Sequence, residues 1–504
     1  MKLLDKMVYL KQVIHLRTGH FAERRDVKFM SEVSEGDIKG RNALPLFFEP
    51  RSVAVIGSLR EGYFGGYVVI KTLLNAGYKG NIFPINPSYQ DVLGLRVYPS
   101  LQDVSEKIDL AFLIINRRSV PDRIRECAEK GIQAVIVVAD GFAERDEEGL
   151  RLQDEIVEIA RERGMRILGP NTAGVVNPTN GFIPDPYEMG YRTLKTGGTA
   201  ICAQTGMINP QAFPYGDLHY GVSKICDYGN KCDVDECDLL DYLEKDPATR
   251  VITMYLESIR DGRRFLDISK RVTLKKPVLI LRSGRTKEGA RVSASHTGSL
   301  AMDDTIFSAA CKQAGIIRLE KFNELFELPK IFDAQPLPKG KRLGIVTFTG
   351  GVGVLAIDEA AKYGLTAPRL SAGTVAKLNA IFPGLGKTIV DIGPPMAAVN
   401  NYMDIYSEIL KVVLADDNID CLFNVIWTSP FKEFVEEYLK FYEEIKGKYQ
   451  KTIATWIYGP SVPLIQEMSS RLEDLGFPVF PDLEMAIKAL GLTYQYAIHK
   501  KGGE

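Results

Sequence analysis

The sequence predicts an α/β protein with three doubly wound parallel-sheet domains. Its 504 residues are more than one hydrophobic core usually holds. Short β-branched runs also alternate with amphipathic helical stretches, which is typical of parallel strands joined by crossover helices. The alternation starts afresh near residues 198 and 342, so we expect three α/β units along the chain.

The first unit is predicted from a strand at 52–57, a glycine-rich turn, a helix near 68–76 and a strand at 81–85. Two further apolar runs predict strands at 110–115 and 134–138. This order of elements indicates an open sheet with helices on its faces.

The second and third units open alike, with a strand, a glycine-rich turn and the entry to a helix. The turn of the second unit is Gln204-Thr205-Gly206, and that of the third contains Gly350-Gly351. A Pro-containing linker at 335–340 separates the units. Their strands are predicted at 198–203, 251–256, 277–281, 342–348, 422–427 and 452–457. The similar openings favour related domains, with convergence as the alternative.

The composition excludes several classes of protein. Hydrophobic residues make up 45% and charged residues 25% of the chain, which excludes disorder. The 63 Lys and Arg against 64 Asp and Glu give a net charge of -1, so bulk charge offers no reason to bind nucleic acid or a membrane. The sequence contains no run of about 18 apolar residues, so it predicts no membrane span. The start of the chain lacks the apolar core of an export signal. The seven cysteines are scattered, which favours reduced thiols and no metal site. We therefore expect a cytoplasmic protein.

Glycines mark the first candidate binding site. A chain with almost no net charge must hold an anion locally, and a glycine-rich turn before a helix offers backbone N–H groups to a phosphate. The turn Gly57 to Gly66, with Ser58 and Gly65, has this position, although its spacing is not GxGxxG. Asn86-Pro87 ends the next strand where a nicotinamide-binding domain has an acidic residue, which favours another phosphate-bearing nucleotide ligand. A turn that only packs is the alternative.

His296 is the second candidate, because it lies among small residues in Ser293 to Ser299 with no apolar face to bury it. Neutral imidazole on a short loop can attack phosphorus, provided that an acceptor fixes its tautomer. Glu257, just past a predicted strand, is the candidate acceptor. A solvated surface histidine is the alternative. The hydroxyl and backbone N–H groups of Gln204-Thr205-Gly206 are predicted to hold the phosphate, unless Thr205 only caps a helix.

Together these residues resemble the NDP-forming acyl-CoA synthetases, and within them the α component of the ADP-forming acetyl-CoA synthetases. The resemblance covers about residues 45 to 500. It is carried by the segments 52–57, 84–87, 141–144, 169–174, 229–235 and 295–299, which occur in the family's order.

The resemblance implies a Rossmann-like CoA-binding domain at 45–180, then flavodoxin-like domains of the succinyl-CoA ligase type at 190–335 and 340–500, after an extension at 1–44. CoA would lie across the turn at Gly57 and Ser58, near Asn86-Pro87 and near Ile114-Ile115. His296 matches the phosphorylated histidine of the family and Glu257 its partner, while Asn230 joins the expected phosphate site.

The implied reaction converts acyl-CoA, phosphate and ADP reversibly into carboxylic acid, CoA and ATP. An acyl phosphate forms first and passes its phosphoryl group to His296. Nucleotide use in this family needs an ATP-grasp domain of roughly 200 residues, for which the three units leave no room. We therefore expect a hetero-oligomer in which a separate ATP-grasp β subunit carries ADP or ATP and Mg²⁺.

The sequence also departs from the family pattern. Asp227-Tyr228 stands where the family often has a serine, which adds a carboxylate near the expected phosphate. The strand end at Asn116-Arg117-Arg118 and the segment 388–395 in the third unit differ as well. A CoA-binding regulatory or scaffold protein without phosphoryl transfer is therefore the alternative hypothesis. A nicotinamide oxidoreductase is a third, which Asn86 argues against.

Overall fold

The structure is a computed structural model that describes residues 43–188, 194–213, 218, 220–297, 303–398, 402–429 and 431–502, without the side chains of 293–297. Nearly all of the expected extension at 1–44 lies outside the described residues. Three sheets follow one another along the chain, and the predicted α/β fold class is confirmed.

The first sheet has five parallel strands in the order β2-β1-β5-β6-β7. These strands are Ser52–Gly57 (β1), Asn81–Ile85 (β2), Leu110–Ile114 (β5), Ala134–Val137 (β6) and Arg166–Leu168 (β7). A small hairpin of Asp91–Val92 (β3) and Leu95–Arg96 (β4) lies between β2 and β5 in the chain. The helices of this part are Leu44–Phe48, Gly66–Asn75, Val120–Glu129 and Glu147–Arg163, with 3-10 turns at Leu101–Asp103 and Arg117–Ser119.

The second sheet has the order β13-β12-β11-β9-β10-β8. Its strands are Gly174–Val176 (β8), Thr196–Ala203 (β9), Val222–Asp227 (β10), Val251–Leu256 (β11), Val278–Arg282 (β12) and Ile317–Leu319 (β13). Strand β8 runs antiparallel to β10, so the segment after the first sheet adds an edge strand to the second. The helices are Glu236–Lys245, Gly262–Thr273, Lys287–Thr297, Asp304–Ala314, Glu324–Glu327 and Pro329–Ala334.

The third sheet is parallel, with the order β15-β14-β16-β17-β18. Its strands are Leu343–Thr347 (β14), Ile389–Asp391 (β15), Cys421–Trp427 (β16), Thr452–Tyr458 (β17) and Val479–Phe480 (β18). Its helices are Gly350–Ala361, Ala372–Ile381, Gly393–Ala398, Tyr402–Leu414, Glu433–Ile445, Val462–Asp474 and Leu483–Gly502. No helix in the described part of the chain is long and apolar enough to cross a bilayer.

Apolar cores cover both faces of the sheets and continue across the junctions between them. In β5, Leu110 and Phe112 join one core while Ala111 and Leu113 join another, because successive side chains point to opposite faces. The core that contains Phe112 also contains Met254 of β11, so the first and second sheets share it. Shared cores hold the neighbouring domains in a fixed arrangement, which matters because the main cleft lies between the first two.

The openings of the second and third domains differ more than the sequence predicts. Thr349 caps the helix Gly350–Ala361, as expected. After β9, by contrast, Gly206–Ile208 forms only a 3-10 turn, and Asn209 is extended. The residue before a proline is driven out of the helical region, and Pro210 follows Asn209. The helix entry predicted at Gly206 is therefore wrong.

Candidate active site

A cleft of about 1030 Å³ lies between the first and second sheets. Strands turn their carboxyl ends to it from both sheets: β5 and β6 from the first, and β9, β10 and β11 from the second. The strand order reverses between β1 and β5 in the first sheet and between β9 and β11 in the second. Ligands of open α/β sheets bind at such points. The predicted residues that line the cleft are Ile114, Ile115, Gln204, Thr205, Gly206, Asn230 and Glu257.

The glycine-rich turn after β1 lies beside this cleft. Gly57 pairs with Ile114, and a Cβ on Gly57 would come within 2.5 Å of the Ile114 carbonyl oxygen, so the close approach requires glycine. Asn86 Nδ2 donates to the Gly57 carbonyl at 2.9 Å, and Asn86 Oδ1 accepts from Ser88 N at 2.9 Å. The Asn86 amide thus fixes the ends of β1 and β2, while Ser58 and Pro87 are exposed beyond it.

An aromatic pair forms one wall of the cleft. Gly65 has a φ of 119°, which favours glycine, and its N–H donates to the Pro186 carbonyl at 3.0 Å. This connection brings the rings of Phe64 and Tyr187 to a centroid distance of 4.9 Å, and both line the cleft. Sequence reasoning missed both rings, because no local pattern reveals that the turn pairs with a segment more than a hundred residues away.

Gln204 positions the Glu257 backbone. Its Oε1 accepts from Glu257 N at 2.9 Å and from Ser258 N at 3.2 Å, and Tyr255 Oη donates to Glu257 Oε1 at 3.3 Å. Thr205 Oγ1 accepts from Met207 N at 3.3 Å, so this hydroxyl caps the short 3-10 turn, and its contact with phosphate stays a prediction. A side chain at Gly206 would meet open space, which leaves the backbone there accessible from the cleft.

Asn230 bridges the first two domains. Its Nδ2 donates to Glu144 Oε2 and, at 3.1 Å, to Gln153 Oε1, both on the first domain. Glu144 Oε1 in turn accepts from Gly141 N at 2.6 Å and from Phe142 N. Because both amide hydrogens of Asn230 are already donated, its side chain offers the cleft an oxygen rather than a donor. Its predicted contact with phosphate would require a rearranged amide, because the Asn230 backbone N–H already donates to the Pro170 carbonyl.

Gly229 lies where the two domains interlock. It has a φ of 51°, and a Cβ there would come within 2.2 Å of the Pro170 carbonyl oxygen and 2.5 Å of that of Asn171. Asn230 N donates to the same Pro170 carbonyl at 2.9 Å. The segments 141–144, 169–174 and 229–231 are therefore in direct contact at this end of the cleft.

We expect Gly229→Ala to lower the free energy of unfolding by about 3 kcal/mol, since the methyl group meets backbone atoms that cannot move aside and the φ is unfavourable for alanine. Chemical denaturation measures the change. Gly164→Ala is a matched control, because Gly164 also has a positive φ, 66°, but a Cβ there would touch nothing within 4 Å. Equal losses for the two variants would show that the contact with Pro170 is unimportant.

Asp227 places a buried carboxyl beside Glu257. Its Oδ2 accepts from Ala173 N at 2.9 Å and its Oδ1 from Gly229 N at 3.1 Å. Burial raises the pKa of Asp227 to about 6, and the Glu257 carboxylate adds to the rise. The extra carboxylate expected from the sequence is thus part of the cleft wall.

A second buried carboxyl, Asp185, lies behind the cleft. Its Oδ1 accepts from Tyr187 N at 2.9 Å, and the Asn209 amide nitrogen donates to the carboxyl group. Burial raises the pKa of Asp185 to about 7. Below about pH 7 the folded protein therefore favours the protonated carboxyl. The contribution of this protonated form to the free energy of unfolding is complete near pH 4 and is lost as the pH rises through 7.

We expect Asp185→Asn to remove this pH dependence. At pH 8 the variant should be more stable than the unmodified chain by on the order of 3 kcal/mol, whereas near pH 4 the two should be nearly equal. The introduced amide oxygen can keep the bond from Tyr187 N, and Asn209 can turn its own oxygen to the introduced NH₂ group. Urea denaturation at a series of pH values measures the difference. A difference that does not change between pH 5 and 8 would contradict the assignment.

The structure places His296 in the last turn of the helix Lys287–Thr297. The sequence predicted a loop there, but Thr286 Oγ1 accepts from Gly289 N at 3.0 Å and caps the start of a helix, which Ala290 and Ala294 favour. The His296 side chain and residues 298–302 lie outside the described part of the chain. The predicted contact between His296 and Glu257 therefore stays a prediction.

Two arginines that sequence reasoning did not assign to a site also line the cleft. Arg117 is held by Asp146 at 3.0 Å and by Glu148 at 2.9 Å. Arg145 lies at the rim. Arg117 was noted only as a departure from a pattern, and nothing local marks Arg145, because the fold alone brings it to the cleft.

Two family models match the chain. A CoA binding domain matches residues 51–178, and a succinyl-CoA ligase like flavodoxin domain matches residues 196–332. The chain is 34% identical to the Pyrococcus furiosus acetate–CoA ligase [ADP-forming] II subunit alpha, over 91% of this chain and 99% of the relative. It is 35% identical to the Archaeoglobus fulgidus acetate–CoA ligase [ADP-forming] II, over 89% of this chain but only 66% of the relative.

A solved structure is similar over nearly the whole chain. The Ca. Korarchaeum cryptofilum dinucleotide forming acetyl-coenzyme A synthetase 1, in complex with phosphate and ADP, superposes with a TM-score of 0.81. The match covers 91% of this chain and 97% of the other at 30% identity. These relatives are named as ligases or synthetases, which supports the hypothesis of an acyl-CoA synthetase and not the alternative of a regulatory or scaffold protein.

Proposed function

The chain belongs to the family of NDP-forming acyl-CoA synthetases, and we propose that it is the α component of an acid-thiol ligase. The enzyme would convert acyl-CoA, phosphate and ADP reversibly into a carboxylic acid, CoA and ATP. The observation that carries this proposal is the cleft itself, which is lined by two residues predicted for CoA, Ile114 and Ile115, and by the residues predicted for phosphate.

CoA would lie across the first sheet. Because Gly57 has no side chain, the ends of β1 and β5 lie close together, and CoA would pass over this backbone. The thiol end would then reach Ile115 in the cleft. The aromatic rings of Phe64 and Tyr187 and the exposed side chain of Met207 would contact the acyl chain.

Phosphate would bind at the opposite wall, near the accessible backbone of Gly206 and the side chains of Gln204 and Thr205. A phosphate oxygen attacks the thioester carbonyl, the C–S bond breaks, and CoA leaves as the thiolate. The imidazole of His296 then attacks phosphorus, the carboxylate leaves, and an N–P bond forms. Glu257 would accept a hydrogen bond from the other imidazole nitrogen and stabilise the cationic ring.

The nucleotide steps would take place on another subunit. The chain spans 66% of the Archaeoglobus relative, whose name gives no subunit, but 99% of the Pyrococcus α subunit. We propose that the remaining third corresponds to a separate ATP-grasp β subunit that binds ADP or ATP with Mg²⁺. The complex would be a cytoplasmic hetero-oligomer, in keeping with the seven buried free cysteines in the described part of the chain.

Calorimetry with CoA tests the first half of the proposal on this chain alone. We expect one CoA per chain, and we expect Gly57→Val to abolish the heat of binding, because the larger side chain must displace the Ile114 carbonyl. Gly62→Val is the control, since a Cβ at Gly62 meets nothing within 4 Å. NADH binding without CoA binding would contradict the proposal and favour an oxidoreductase.

A further inference from the structure

A buried ion pair supports the Glu257 loop from the side opposite the cleft. Lys231 Nζ donates to Glu236 Oε2 at 2.8 Å, and the two side chains are 1% and 0% exposed. The same ammonium group donates to the Ser258 carbonyl at 2.7 Å. Ser258 directly follows Glu257, so the lysine is bonded to the backbone next to the proposed partner of the histidine.

The partner carboxylate holds the far end of the same loop. Glu236 Oε1 accepts from Arg260 N at 3.1 Å. The Arg260 guanidinium returns to the lysine segment, where Nη1 donates to the Lys231 carbonyl at 2.8 Å and to the Cys232 carbonyl at 2.9 Å. The loop from Glu257 to Arg260 is therefore bonded at both ends to one pair of side chains.

The cleft side of the loop is held by Gln204, which accepts from the N–H groups of Glu257 and Ser258. The peptide groups around Ser258 are thus fixed from two opposite directions. Burying an ammonium group and a carboxylate costs desolvation free energy. An apolar pair of similar size often stabilises the fold as much or more. Stability alone therefore does not explain why charges are buried here.

We propose that Lys231 and Glu236 are positioning residues for phosphoryl transfer, because their buried ion pair sets the place of the Glu257 carboxylate in the cleft. The inference rests on the proposed function, since Glu257 acts on His296 in that proposal. Lys231 itself lies behind the loop and touches neither phosphate nor CoA in this arrangement.

The double variant Lys231→Met/Glu236→Met tests the proposal, because it removes both charges and leaves none unpaired. The matched control is Lys224→Met/Asp246→Asn, which removes the charges of another buried pair in the same domain, with Nζ to Oδ2 at 3.1 Å and exposures of 2% and 4%. Lys224 bonds to Asp246 and not to the Glu257 loop.

Amide hydrogen exchange on this chain gives the first readout. We expect exchange at Glu257 and Ser258 to accelerate at least tenfold in the Lys231/Glu236 variant and to stay unchanged in the control. The second readout is the rate at which label from γ-labelled ATP enters the chain in the complex with its β subunit. We expect at least a tenfold lower rate constant, an unchanged CoA affinity, and no further loss when Glu257→Gln is added.

Several outcomes would overturn the inference. Rates and exchange equal to those of the control variant would show that the pair is only structural. If the loss of labelling rate in the Lys231/Glu236 variant multiplied with the loss caused by Glu257→Gln, the ion pair would act by a route other than Glu257. A complex of the unmodified chain that binds CoA but takes up no label would overturn the proposed function and this inference with it, whereas a labelled complex with an unaffected variant overturns this inference alone.

Discussion

Replacing His296 by alanine should abolish ATP synthesis from acyl-CoA, phosphate and ADP. We expect a loss of at least ~10⁴-fold in kcat, because His296 carries the phosphoryl group in the proposed mechanism. The same variant should take up no acid-labile label from γ-labelled ATP and Mg²⁺. CoA binding should be unchanged, because the residues proposed for CoA lie in the first domain.

The control for His296 is His499→Ala. His499 lies on the last helix of the third domain, where its Nε2 is 3.1 Å from Thr273 Oγ1, and it does not line the cleft. Its replacement should leave the labelling intact. Label that persists in His296→Ala would contradict the phosphohistidine.

Replacing Glu257 by glutamine should lower kcat by about 10²- to 10⁴-fold, because a neutral amide neither fixes the histidine tautomer nor stabilises its charged form. The amide has nearly the same shape, and its oxygen can still accept from Tyr255 Oη, so the fold should be preserved. The pKa of Asp227 should fall, since a neighbouring negative charge is removed.

Single-turnover labelling measures the Glu257 effect, and NMR titration of Asp227 checks its electrostatic part. Glu144→Gln provides a comparison, because Glu144 also lies at this end of the cleft but bonds to Asn230 and backbone N–H groups. Glu144→Gln should weaken the junction between the first and second domains and should lower kcat less than Glu257→Gln does. Equal labelling rates for Glu257→Gln and the unmodified chain would contradict the assigned role.

The sequence predicts the sheets well because their signals are local. Buried parallel strands are continuous apolar runs, and β1, β2 and β16 lie within a residue or two of their predicted positions. Ile114 ends one such strand and Gln204 directly follows another, so their meeting at one cleft could be anticipated from the parallel arrangement.

Other parts of the site depend on contacts between distant segments. Asn230 was predicted from a motif to bind phosphate, but its amide bonds to Glu144 and Gln153 of another domain. The rings of Phe64 and Tyr187 meet only because the turn pairs with the segment before the second sheet. The positions of such side chains follow from tertiary packing, which overrides local pattern.

Phosphoryl transfer from the substrate side gives the most direct test of the proposed function. The complex of this chain with the proposed β subunit is mixed with acyl-CoA and labelled inorganic phosphate, without any nucleotide. Free thiol and acid-labile label on the chain are then counted. One CoA released and one phosphoryl group bound at His296 per chain is the expected result. Tight CoA binding with no thiol released and no label would contradict it, and would leave a CoA-binding scaffold in its place.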